Sequence, residues 1–139
     1  MRSKCDSVRT GVAMAEILVV DDSKVMREMV IACLRQREGL AFAQASSGLE
    51  AIERLSLQPF DALVLDLNMP DIGGLEVIEF VRAQDKLREL PILVLTTRGD
   101  GTSRARVMEA GATRYMTKPF DPEAILHEVA NLLEVEAKA

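Results

Sequence analysis

The sequence predicts an α/β domain built on a five-stranded parallel sheet with helices on both faces. Three observations carry this. Short apolar runs alternate with helical periodicities five times along the chain. The runs are apolar at nearly every position, as strands covered on both faces must be. The length of 139 residues suits one core of this kind.

Taken in order, the first strand is Ile17 to Val20. Residues 1–14 ahead of it carry basic side chains but lack the apolar stretch of about 7–15 residues that a secretory leader needs, so a disordered tail is expected. Met14 is an alternative natural start. Ser23 is placed to cap a helix with apolar positions at Val25, Met26, Met29, Val30 and Cys33. A strand over Ala41–Ala45 follows the Glu38-Gly39 turn. A helix over 48–57 then turns Ala51, Ile52 and Leu55 inward. The third strand, Ala62 to Leu65, ends in a carboxylate, Asp66, and a helix around Leu75, Ile78 and Val81 follows. Pro91 to Leu95 is the fourth strand. A helix over 103–110 closes at Gly111, a residue suited to a helix C-terminus. Arg114 to Thr117 is the last strand. Asp121 and Pro122 open the final helix in the cap and first-turn positions, with Ile125, Val129, Leu132 and Leu133 facing inward. The domain is expected over 15–135, with 136–139 as a short polar tail and no second domain attached.

Composition excludes several functions. The net charge is −5 with a pI near 5.0, which argues against a nucleic-acid surface. No apolar run approaches the ~20 residues that span a bilayer, so no membrane insertion is expected. Cys5 and Cys33 form no metal-ligand pattern. Cys33, among Val30, Ile31 and Leu34, reads as a buried thiol, which fits a reducing cytoplasm. His127 in the last helix reads as a surface residue.

Ligands of an open parallel sheet bind at the C-terminal strand ends. Those ends carry Asp21 and Asp22, Ser46 and Ser47, Asp66 and Asn68, Thr96 and Thr97, and Lys118-Pro119. Any one acid there is ordinarily a solvated loop residue, but this set would rarely coincide by chance. Three carboxylates at one edge repel one another, and a divalent cation relieves the conflict. Oxygen ligands suit Mg²⁺, with Mn²⁺ as a substitute, and no His or Cys nearby favours zinc. A lysine and a threonine hydroxyl suit phosphate oxygens. Asp66 stands singly after a central strand, as a nucleophile would, whereas Asp21 and Asp22 sit together, as metal ligands would.

With these residues in place, the chain resembles the receiver domain of two-component response regulators over residues 15 to 135, in its single-domain, chemotaxis-type form. The resemblance implies a flavodoxin-like doubly wound sheet in the order 2-1-3-4-5. It implies Asp66 as phosphoacceptor and Asp21 and Asp22 as the acidic pair holding Mg²⁺, with the backbone carbonyl of Asn68 as a further ligand. It also implies Thr96 and Tyr115 as switch residues, and Lys118 as the phosphate-facing lysine, joined to Pro119 by a cis bond. The phosphoryl group would come from a histidine kinase or histidine phosphotransfer protein that docks near Lys24 and Arg27. A downstream effector protein would read the face made by the fourth helix, last strand and last helix, where Arg98, Arg104, Arg106 and Arg114 are candidates. The family self-phosphorylates from small donors and slowly loses the group, without conventional substrate turnover.

Two positions depart from the commonest family pattern. Thr97 replaces a frequent Ala, and Arg98 occupies a site that tunes self-hydrolysis together with Asn68. A haloacid-dehalogenase-type phosphatase needs a second Asp where Asn68 stands. A flavin carrier needs a phosphate loop where Asp21 and Asp22 would repel it. A relay intermediate and a phosphorylation-independent interaction module remain as alternatives.

Overall fold

The computed structural model describes residues 15–97 and 104–138, the side chains beyond Leu133 apart. Ten elements alternate along them: β1 (Ala15–Val20), α1 (Lys24–Leu34), β2 (Leu40–Ala45), α2 (Gly48–Leu57), β3 (Ala62–Asp66), α3 (Gly74–Ala83), β4 (Ile92–Thr97), α4 (Arg104–Ala110), β5 (Arg114–Lys118) and α5 (Pro122–Lys138). The expectations placed on Cys5, Met14, Arg98 and the 1–14 tail lie outside the described residues.

The strands form one parallel sheet in the order β2-β1-β3-β4-β5, as the resemblance implied. Strand alternation sorts their side chains into two cores. Leu18, Val20, Leu63, Leu65, Ile92 and Val94 pack with Ala51 and Leu55 of α2, Val77, Ile78 and Val81 of α3, and Val107 of α4. The residues between them, Ile17, Val19, Ala62, Val64, Leu93 and Leu95, pack with Val30, Ile31 and Leu34 of α1 and Ile125, Val129 and Leu132 of α5. β3 is buried at all five positions, which explains its unbroken apolar run.

The elements differ from expectation mainly at their ends. β1 begins at Ala15 because its first two residues pair with Leu40 and Ala41, and the Ala15 N–H donates to the Gly39 carbonyl. β3, β4 and β5 each extend to include a polar residue, Asp66, Thr97 and Lys118, because the ladder continues through them. The segment 136–139, expected as a tail, is helical through Lys138: Glu, Ala and Lys are good helix formers and nothing there breaks the helix. In α1, Val25 and Met29 are 70 % and 47 % exposed, so they do not belong to the inner face. The buried stripe is Val30, Ile31, Cys33 and Leu34, the side turned toward α5. His127 is exposed, as expected.

Gly111 ends α4 as the sequence suggested, at a φ of 125°. A Cβ there would lie 2.7 Å from the side chain of Arg82, whose Nε donates to the Gly111 carbonyl at 2.9 Å. The turn therefore needs glycine both for its backbone and for the guanidinium packed on it.

Leu63 is wholly buried between sheet and helices, whereas Leu57 is 77 % exposed. Leu63→Ala is expected to lower unfolding free energy by about 2–5 kcal/mol. Leu57→Ala should change it by less than about 0.5 kcal/mol. Urea denaturation of the two variants checks the contrast, and equal losses would contradict this assignment of the core.

Candidate functional site

The parallel register brings the chemistry to one edge. Val20 lies beside Leu65, so the next residues along, Asp21 and Asp66, come level at the strand ends. Thr97 pairs with Lys118, which places the lysine at the same edge from the far side of β4. Lys118 Nζ donates to Asp66 Oδ1 at 3.2 Å and to Asp21 Oδ2 at 2.9 Å. Lys118 follows Met116 on the α1/α5 side of β5, and Asp66 follows Val64 on the same side of β3, so alternation aims both side chains at one space. Oxygens of Asp21, Asp22 and Asp66 lie within 4.8 Å of one another. Asp21 and Asp66 are buried, while Asp22 is exposed.

The electrostatics follow from this crowding. Burial first, and then the charge of Asp21, push the Asp66 carboxyl above the usual carboxylate range. The Lys118 ammonium and the Asn68 N–H pull the other way without prevailing. Burial works against the charge of Lys118, but hydrogen bonds and charge from Asp21 and Asp66 together outweigh it and raise its pKa. Three carboxylates thus face one ammonium among the described residues. An all-oxygen, anionic donor set of this kind fits a hard divalent cation such as Mg²⁺, which takes one or two carboxylates and keeps several waters.

The remaining expected residues fall around this centre. Asn68 is exposed in the loop after β3, two residues beyond Asp66. Thr96 is wholly buried, and by alternation it continues the face of Ile92 and Val94, toward α4. Tyr115 pairs with Val94 and packs half-buried against that same core, with the Arg104 guanidinium 5.9 Å from its ring centroid. Nearby, Arg114 on β5 pairs with Glu128 of α5. The Lys118-Pro119 bond is cis.

Two features of the acidic loop are not legible from the motif. The Ser23 N–H donates to Asp21 Oδ1 at 2.9 Å, while Ser23 Oγ caps α1 by accepting from the Met26 N–H. Arg27, read from the sequence as part of a docking surface, is half-buried and turns its guanidinium toward the loop. It donates to the Asp21 carbonyl at 2.7 Å and to Gln44 Oε1 of β2 at 2.8 Å. Its position four residues past Ser23, in the second turn of α1, was the signal available. The partner on β2 was not, because it is distant in sequence.

Comparison with known proteins concerns the chain as a whole. The family model described as the response regulator receiver domain matches residues 17–130. The chemotaxis protein CheY1 of Helicobacter pylori strain J99 is 33 % identical over 119 residues, which cover 85 % of this chain and 96 % of that protein. The response regulator MprA of Mycobacterium ulcerans is 41 % identical over 117 residues, 84 % of this chain but 49 % of that longer protein. The structure of the chemotaxis response regulator CheY4 of Vibrio cholerae superposes with a TM-score of 0.78 at 35 % identity, covering 86 % of this chain and 98 % of that one.

The raised pKa of Asp66 has a sign that can be measured. The folded protein holds this proton more tightly than the unfolded chain, so stability falls as pH rises from the ordinary carboxylate range through the raised folded value. In EDTA, Asp66→Asn is therefore expected to unfold at higher urea concentration than wild type at pH 7. The difference should close as pH falls below the ordinary carboxylate range. An advantage that persists at low pH would show that ionisation of Asp66 is not its cause.

Proposed function

Because the chain belongs to the response regulator receiver domain family, we propose that it accepts a phosphoryl group on Asp66 from a histidine kinase or histidine phosphotransfer protein and changes its affinity for an effector protein. The observation that carries this reading is the meeting of Asp66, Asp21 and Lys118 at the end of a central strand.

In this reading an Asp66 carboxylate oxygen attacks the phosphorus of a phosphohistidine. The new oxygen–phosphorus bond forms as the nitrogen–phosphorus bond breaks, and the imidazole nitrogen keeps the bonding pair. Burial of Asp66 at the edge of a rigid strand keeps the carboxylate in place for in-line approach. Lys118, already held by both acids, shifts toward the transferred oxygens as negative charge builds on them. Asp21, Asp22, Asp66 and the Asn68 carbonyl would hold Mg²⁺ (or Mn²⁺), which neutralises phosphoryl charge when bound.

The transferred group adds charge of about −1.5 to −2 and strong acceptor oxygens. Thr96 would donate its hydroxyl to one of them, and Tyr115 would follow inward on the α4 side of the sheet. The surface of α4, β5 and α5 would then favour a different partner state. Thr97, exposed at the end of β4, flanks the approach to Asp66. No described helix is long and apolar enough to cross a membrane, and the proposed partners place the reaction in the cytoplasm.

Incubation with Mg²⁺ and acetyl phosphate, followed by intact-mass analysis, tests the first step. One base-labile phosphoryl adduct is expected on wild type and none on Asp66→Asn. An adduct that survives this substitution would refute the assignment. For the second step, Thr96→Ala should be phosphorylated to a similar extent. Couplings between linked sites commonly run about 5–150-fold, and in this variant the affinity gain for the effector should fall close to onefold.

A further inference from the structure

Two of the anchors that hold the loop carrying Asn68 matter here, and one of them has no part in the chemistry above. The first anchor closes the loop on itself: the Gly74 N–H donates to the Leu67 carbonyl at 3.1 Å. A Cβ at Gly74 would come within 2.8 Å of the Asp66 carbonyl oxygen and the Leu67 Cα, so the chain doubles back directly beneath the acid.

The second anchor is Asp71. Its Oδ1 accepts from the Gly48 N–H at 3.2 Å and its Oδ2 from the Leu49 N–H at 3.1 Å. These are the first two amides of α2, which have no partner inside their own helix. Ser47 Oγ accepts the third, from Glu50, so α2 is capped by its own serine and by a carboxylate from another loop. The contact is close: a Cβ at Gly48 would lie 2.5 Å from the Ile72 carbonyl oxygen, so the β3–α3 loop rests on the first turn of α2. The Leu49 N–H holds the Asp71 carboxyl below the usual range, which keeps it anionic at the positive end of the helix.

We propose that Asp71 is a positioning residue for the metal site: by clamping the β3–α3 loop to the N-terminus of α2, it holds Asn68 where its carbonyl can serve as a ligand. This rests on the metal site of the proposed function. Asp71 itself is exposed and three residues from Asn68, so it acts through the loop. Between Leu67 and Gly74 the chain has six residues. The Leu67–Gly74 closure, the Asn68 N–H on Asp66, the Gly73 N–H on Glu76 and the packing of Met69 and Ile72 restrain them too. Asp71 adds the hydrogen bonds that tie them to the amides of α2. Asparagine at position 71 retains one acceptor oxygen and thus one of the two hydrogen bonds, whereas alanine retains neither.

The test uses the full chain as wild type, Asp71→Ala and Asp71→Asn. Mg²⁺ affinity is measured by calorimetric titration, and amide hydrogen exchange across 67–73 is measured in EDTA. Outer partners of metal ligands commonly change affinity about 10–100-fold, and Asp71→Ala is expected at the lower end of that range. Asp71→Asn should fall between alanine and wild type. Loop amides should exchange faster in Asp71→Ala while the β3 and β4 amides keep wild-type rates. Unchanged Mg²⁺ affinity in Asp71→Ala, or unchanged loop exchange, would overturn the role given to Asp71. Uniformly faster exchange over the whole sheet would overturn it too, by showing a general loss of stability. The exchange arm needs no metal. A wild type that binds no Mg²⁺ would therefore refute the metal site, while the exchange rates would still decide whether Asp71 holds the loop.

Discussion

A buried carboxylate, Asp66, is held between a neighbouring acid and an amine, and the arrangement of the sheet edge follows from that balance. An isolated acid at this depth would take up a proton; beside Asp21 the tendency is stronger. Lys118 offsets part of the cost by reaching both carboxylates from β5. Asp66 and Asp21 share the one ammonium, so the three are best regarded as one electrostatic unit. A site crowded in this way gains by binding a cation, which would also offset the negative charge that the proposed phosphoryl group adds.

The parallel sheet is what makes the unit available. All five strands point the same way, so their polar C-terminal residues collect on one edge, while the apolar segments behind them fill two cores. Alternation then separates two tasks. Asp66 and Lys118 project to the α1/α5 side, and Thr96 and Tyr115 continue the core that faces α4. β4, which carries Thr96, lies between β3 and β5 and so borders both sets.

Loops complete the geometry through contacts that are polar and close. Arg27 ties the backbone of Asp21 to Gln44 on the edge strand β2, and Asp71 ties the loop after β3 to α2. In both cases a charged side chain hydrogen-bonds backbone groups, so charge serves position here. The same holds for Arg82, which secures the turn after α4 from the opposite end of the domain by donating to the carbonyls of Gly111 and Arg88.

The sequence by itself determined the class of fold, the number and order of its elements, and the residues that meet at the sheet edge. Hydrophobic periodicity is local, and a motif such as the acid after β3 with lysine-proline after β5 is a matter of residue type and spacing. It also marked Ser23 and Gly111 as helix ends, because a cap depends on neighbours within a few residues. Tertiary structure decided which apolar positions of α1 are buried, since Val25 and Met29 differ from Val30 and Leu34 only in facing away from α5. It gave Arg27 the further role of a brace for Asp21 and made Asp71 a cap for α2. Apart from the Arg27–Asp21 bond, those roles join residues 17 to 23 positions apart. No local pattern encodes such a pair, because the hydrogen bond exists only once the sheet has brought the two loops together.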